Sequence, residues 1–219
     1  MKTDRRAFLR TLATAAGAVI LVPAVSACGG ATTTPDTSTG MSPIPKARPD
    51  GWDPMAFNRA RGNAGAIPDT YLDDINGPDG DAQHLGKHLP WLPQLDANLV
   101  PAGFIAIMWG DPDVGHARHP NAPRTDDNPE GHWYNWIRIR KATDDDATEL
   151  ESTYTDWPGT GDDDTGAYAV FGGGDLTDDS GKNTIYLAAL PDDVQSGDRV
   201  RIHAHCLTHG EYVDFVNIP

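Results

Sequence analysis

Two cysteines, Cys28 and Cys206, are all that this 219-residue chain holds, which is too few for a four-cysteine metal domain. Positive charge is scarce as well: 17 Lys and Arg stand against 32 Asp and Glu, a net charge of −15. The first 27 residues carry Lys2, Arg5, Arg6 and Arg10 against Asp4, so the remainder stands at −15 − 3 = −18. So acidic a body argues against nucleic acid and against a polybasic membrane contact. The longest apolar run, Leu12 to Ala27, is too brief and too rich in alanine to make a good membrane span. No internal repeat is present. The acidic runs 144–146 and 162–164 lie among Gly and Thr without ordered calcium-loop spacing, and read as solvated loops. Histidine is absent from the first third of the chain; all eight lie between His84 and His209.

What the beginning does contain is an address. Arg5 and Arg6 precede the apolar run, which ends at Cys28, and this resembles a twin-arginine export signal. Val25-Ser26-Ala27-Cys28 resembles a bacterial lipobox, which makes Cys28 the expected lipidation site of an exported, membrane-anchored lipoprotein on the extracytoplasmic (periplasmic) side. The export route moves folded proteins, and loading a cofactor before export is one reason to use it. With Cys28 acylated, Cys206 has no disulfide partner. A lone thiol outside the cytoplasm is usually paired, oxidised or held by a metal.

The tail carries that thiol. Val200, Ile202 and Ala204 alternate with Arg199, Arg201, His203 and His205, the period of a half-buried strand, and Cys206 falls on the apolar side at its end. Gly210 permits a turn, and 212–218 reads as a closing strand. Cys206 and His209 are thereby held three residues apart on a short loop, where one metal could take both. A buried structural Cys beside a surface His fits that pair equally well. Upstream, strand patterns occur at 104–109, 133–141, 150–155, 167–171 and 184–190, separated by Gly- and Asp-rich turns. About seven short strands predict an all-β, immunoglobulin-like antiparallel sandwich. The expected organisation is a signal with lipobox over 1–28, a flexible Thr/Ser/Pro tether over 29–50, an extended arm over 51–83 and one β domain over 84–219. Pro54, Pro68 and Pro78 are read as breakers of any long element, which leaves an extended arm with room for one turn of helix.

Three histidines precede rigid elements. Gly86-Lys87-His88-Leu89-Pro90 sets a His next to a Lys and just before an X-Pro bond; His119-Pro120-Asn121 repeats the device; His132 opens the aromatic stretch His132-Trp-Tyr-Asn-Trp-Ile137. Together with Cys206-x-x-His209-Gly210, this set resembles superoxide reductase, in particular the one-iron neelaredoxin type and the iron-binding domain of desulfoferrodoxin. The resemblance spans roughly 84–218 and keeps the motifs in order. It implies a mononuclear non-haem iron, Fe2+/Fe3+, bound by His88, His119, His132, His209 and the Cys206 thiolate, with one position open opposite the sulfur. It further implies that superoxide is reduced there to hydrogen peroxide, and that Lys87 draws in the anion and organises the protonating water. The implied partners are superoxide, an electron-donor protein and the membrane under the lipid anchor, with a homo-oligomer allowed.

Three departures from the family's pattern stand out. Gly86 replaces the glutamate usual before the lysine, which leaves the oxidised metal uncapped. An insertion, 122–131, separates His119 from His132 and weakens the assignment of His132. No rubredoxin-like domain is present, so electrons come from another protein. His84, His116, His203 and His205 are expected to be non-ligands, although His84 and His116 could substitute for their neighbours. Arg118 and Arg124 flank His119 and, with Lys87, are expected to make a positive patch; pairing with Asp111, Asp113, Asp126 or Asp127 would neutralise both arginines. Two other classes fit part of the set. A cupredoxin-like copper electron carrier would use Cys206, His209 and His119, but no Met follows His209 and His88 would be idle. A structural zinc site favours four closed ligands with more sulfur or a carboxylate.

Overall fold

A computed structural model describes residues 41–95 and 99–219. The twin-arginine segment, Cys28 and the first part of the tether lie outside the described residues. Two four-stranded antiparallel sheets face one another as an all-β sandwich. The first joins β1 (Pro90–Trp91), β2 (Phe104–Trp109), β6 (Thr184–Ala189) and β5 (Ala167–Val170), in that order. The second runs β4 (Glu149–Thr153), β3 (Tyr134–Lys141), β7 (Arg199–Cys206), β8 (Gly210–Asn217). The strand expected at 104–109 lies where its apolar run placed it, and the two-residue β1 is an addition to the expected set.

Alternation explains the inner layer. Ile105, Ile107 and Trp109 of β2, Ile137 and Ile139 of β3, and Val200, Ile202, Ala204 and Cys206 of β7 all point between the sheets and are buried. The continuous apolar character of β2 has a second cause. Its other face, Ala106 and Met108, packs with Ala169, Ile185 and Leu187 beneath Leu95, Val100 and Phe171, so both faces are dry. The outer face of the second sheet is covered too. Arg201 and His203, expected on an open polar face, are buried: Arg201 bonds the Pro45 carbonyl and Glu149, and His203 Nε2 lies 3.0 Å from Glu211 Oε2. Residues 42–61 lie along this side.

The extended arm is corrected. Residues 54–88 are a series of short helical turns, including α1 (Pro54–Arg61) and α2 (Leu72–Asn76). Pro54 does not break α1 but opens it, at the first helical position where a missing N–H is harmless, while the Asp53 carboxylate accepts from Ala56 N at 3.0 Å. Ile67, Ile75 and Leu85 form a small core against Tyr212 of β8. The buried Asn58 amide treats β8 as a further strand would, donating to Val213 O and accepting from Val213 N, both at 2.8 Å. Trp52 donates to Asp214 at 2.8 Å. Gly210 is obligatory at this seam, because its φ is +84° and a Cβ there would lie 2.1 Å from the Ala66 carbonyl oxygen. The arm is therefore bolted to the edge of the second sheet, and its last turn, Gly86–His88, delivers Lys87 and His88 to the end of the sandwich.

Candidate metal centre

Five side chains meet where the arm, the loop after β2 and the β7–β8 turn converge. One ligand atom from each of His88, His119, His132, Cys206 and His209 lies within 4.8 Å of all the others. Cys206 and Gly210 pair as the last rung of the β7–β8 ladder, so the turn between them holds His209 beside the sulfur. Leu89 is extended ahead of Pro90, as an X-Pro bond requires, and this ends the turn that carries His88. His119 is pinned by its own N–H to Trp109 O at 3.0 Å. The insertion leaves His132 in place because Ala122 and His132 close its base with reciprocal backbone hydrogen bonds of 2.9 and 2.8 Å. Residues 123–131 simply loop outward from that rung.

The imidazoles form a ring. Neighbouring centroids around His88, His209, His132 and His119 are 4.7, 4.7, 4.3 and 4.9 Å apart, whereas the diagonal from His119 to His209 is 6.5 Å. His209 Nδ1 sits 3.1 Å from His88 Nε2 and 3.0 Å from His132 Nε2. The Cys206 sulfur lies 3.4 Å from His119 Nε2 and 3.6 Å from His209 Nδ1. Ligands at right angles on one ion, each about 2.1 Å from it, stand about 3 Å apart, so these spacings fit a shared centre. This cluster could bind a metal ion.

No protein-family profile, curated protein or solved structure matches this chain. The site's chemistry therefore has to be read from its own atoms. Burial, then His209 and Lys87, holds the His88 pKa well below the usual imidazole range; burial, then His132 and His88, does the same to His119. Burial and Lys87 bring His132 down to about 4, and burial, His132 and Lys87 bring His209 to about 3. All four imidazoles are neutral near pH 7, the state that ligates. Burial pushes the Cys206 thiol up to about 12, against the pull of the His209 and Thr208 backbone N–H groups and of Lys87. The thiol keeps its proton until a cation displaces it, and the two amides are then ready to receive the thiolate.

Supporting contacts lie around the ligands. His88 Nδ1 donates to the His84 carbonyl oxygen at 2.5 Å, which leaves Nε2 free to ligate, and its ring stacks on Tyr212 at 4.3 Å. The role of His84 is thus played by its backbone, four residues back along the turn. Tyr134 leans on His119 at 4.9 Å and donates to the His88 carbonyl at 3.3 Å. The ring of His205 stacks on Trp136 on the far face of the sheet, away from the cluster, and the described ligand atoms include none from His84, His116, His203 or His205.

Lys87 is half-buried beside the cluster, and among the described residues its ammonium has no hydrogen bond or ion pair. Burial lowers its pKa, with Cys206 and Asp74 opposing. The two arginines expected beside it are engaged elsewhere. Arg118 lies between Trp91 and Phe171, 5.0 and 5.2 Å from the ring centres, and bonds Asn183; Arg124 covers Trp133 at 4.7 Å. Neither pairs with the nearby aspartates, and neither is among the charges felt by the imidazoles. Gly86 is closed on one side: a Cβ there would lie 2.4 Å from the His116 ring and 2.6 Å from the Asp81 carbonyl oxygen. Sequence reasoning did not reach Tyr71, which the packing of the arm brings to the site, or Tyr212, which β8 holds against the His88 ring.

Proposed function

We propose that this protein is a superoxide reductase: an exported, lipid-anchored protein that reduces superoxide to hydrogen peroxide at one non-haem iron. The observation that carries the reading is the convergence of four neutral imidazoles in a ring with a single buried sulfur to one side. That donor set supports iron. It has one ligand more than a closed zinc site uses, and two imidazoles more than the copper-carrier reading employs. Iron held by His88, His119, His132, His209 and Cys206 would supply the electron for superoxide, and the Cys206 thiolate would raise its tendency to give it up.

The chain's own residues account for the rest. Cys206 is buried in the core while His132 is only half-buried, so an anion would reach the cluster past His132 rather than past the sulfur. Lys87, without a hydrogen bond or ion pair among the described residues, would bring a positive charge close to the cluster on an otherwise acidic protein. It attracts the anion, and with a water at Nζ it can pass protons to the product, since the reaction consumes one electron and two protons. The electron is returned by a separate donor protein. Among the described residues no helix is long and apolar enough to cross a membrane, and the anchor in this reading is the lipid on Cys28.

The test is to fold the protein with iron and record its metal content and visible spectrum. One iron per chain, a thiolate charge-transfer band in the oxidised form that is lost in Cys206→Ala, and peroxide formed from superoxide without dioxygen are expected. Copper in the site, or a band that survives Cys206→Ala, rules the assignment out.

A further inference from the structure

The helical arm does more than cover an edge, because it reaches a ligand whose ring, among the described residues, has no fixing hydrogen bond from outside the cluster. His88 is oriented by the His84 carbonyl and by the face of Tyr212. His119 is buried against Tyr134. His209 is different. It faces its neighbours through Nδ1, the nitrogen nearer its own backbone, because it follows Cys206 by only three residues in the turn. The ring torsion of a histidine is roughly two-fold, and turning it over puts a C–H where Nδ1 was. Among the described residues its Nε2 makes no hydrogen bond that would prevent this. Among the described residues the one ring from outside the cluster that meets it is Tyr71, edge-on with centroids 4.4 Å apart and planes at 66°.

Tyr71 is itself well anchored. Its N–H donates to Pro68 O at 2.9 Å, and its side chain packs on the small core of Ile67, Ile75, Leu85 and Tyr212. That core is held to the β7–β8 turn by the close approach of Ala66 to Gly210. A rigid element therefore presents an aromatic edge to the imidazole. Burial, with Cys206 and Asp74 nearby, raises the Tyr71 pKa, so the phenol meets the cluster as a neutral group.

We infer that Tyr71 is a positioning residue of the metal centre, whose ring edge holds the His209 imidazole with Nδ1 turned toward the other four ligand atoms. The inference rests on the metal-centre reading but not on which metal is native or on superoxide. Aromatic contacts of this kind depend on ring geometry, so phenylalanine should serve and an aliphatic side chain should not.

The experiment is Co(II) binding to the full chain, measured against a chelator, for the unmutated protein and for Tyr71→Phe, Tyr71→Leu and Tyr71→Ala. Tyr71→Phe should bind cobalt as the unmutated chain does, with the same thiolate-to-cobalt band. Tyr71→Leu keeps apolar bulk in the arm's core, and its metal-free form should unfold near the normal temperature. Its cobalt affinity should nevertheless fall by about 10- to 100-fold, the range found when a ligand's supporting partner is removed, and its band should shift. Tyr71→Ala should show at least the same loss, and if it fails to fold the leucine variant decides. Normal cobalt affinity in Tyr71→Leu overturns the inference, and so does a loss in Tyr71→Phe equal to that in Tyr71→Leu, which would assign the effect to the hydroxyl. Failure of the unmutated chain to bind cobalt at all would instead refute the metal-centre reading beneath it.

Discussion

Removing the metal should leave a protein whose stability collapses in mild acid, and the size of the effect follows from the buried imidazoles. An unfolded histidine titrates near 6.5, whereas His132 is held down to about 4 and His209 to about 3 in the folded chain. Below pH 6.5 the unfolded state therefore takes up protons that the folded state refuses. Each depressed group contributes stability that is present above the unfolded value and is lost as pH falls toward the folded one. Between pH 7 and pH 5 the loss per group depends almost wholly on the unfolded value, and linkage puts it at about 1.9 kcal/mol. His132 and His209 together give about 4 kcal/mol, and His88 and His119, displaced in the same direction by burial, add to it. Against a typical total of about 5–15 kcal/mol this is enough to bring the metal-free protein near its acid midpoint at pH 5. His203 and His205 are also lowered by burial and contribute with the same sign. Urea unfolding of the metal-free chain, followed by tryptophan fluorescence at intervals from pH 7 to pH 5, measures the slope. Replacing His132 by Gln should remove about one proton from it, or about 1.4 kcal/mol per pH unit at the steepest part. A stability that stays level over this range, or a slope unchanged in His132→Gln, would show that the cluster does not exclude protons and that its burial has been misjudged.

Other perturbations address the site's surroundings. On the proposed reading Lys87, without a partner among the described residues, draws in the anion, so the rate with superoxide should fall as salt is added, and Lys87→Ala should lower that rate and flatten its salt dependence; a rate that rises with salt would mean that the acidic net charge of the whole body governs encounter. Gly86→Ala forces its new methyl into the His116 ring and the Asp81 carbonyl, and should destabilise the protein by about 1–3 kcal/mol in chemical denaturation. For the same reason Gly86→Glu should weaken metal binding through displaced backbone rather than add a sixth ligand, and a glutamate variant of undiminished affinity would contradict that packing. Asn58→Ala leaves both the N–H and the C=O of Val213 without their partner, and should lower unfolding stability by about 1–3 kcal/mol while Asp53→Ala, which removes only the cap of α1, loses about 1 kcal/mol.

Much of this protein could be read before any fold was known. The strands were visible because each has a two-residue period or an apolar run bounded by glycine and aspartate, and both signals are local. The parity of β7 put Cys206 on the inner face, where it lies, since side chains in a strand can only alternate. The five ligand candidates were also legible, each sitting beside a proline, a strand start or a turn. The arm was not. Pro54 and Pro68 mark helical turns as readily as they prevent them, and only contact with Tyr212 and Val213 decides between the two. The outer face of the second sheet looked open because Arg201 and His203 are polar, yet their partners Pro45, Glu149 and Glu211 come from other segments. Arg118 and Arg124 flank a ligand in sequence, but a flexible side chain goes to whatever rings packing sets within reach, and here that leads both away from the cluster. Local pattern, then, selects strands, turns and the residue types able to hold a metal. Which rings brace those residues, and which charge stands beside them, is decided by contacts between segments up to about a hundred and forty residues apart, as between Tyr71 and His209, and no local rule encodes such contacts.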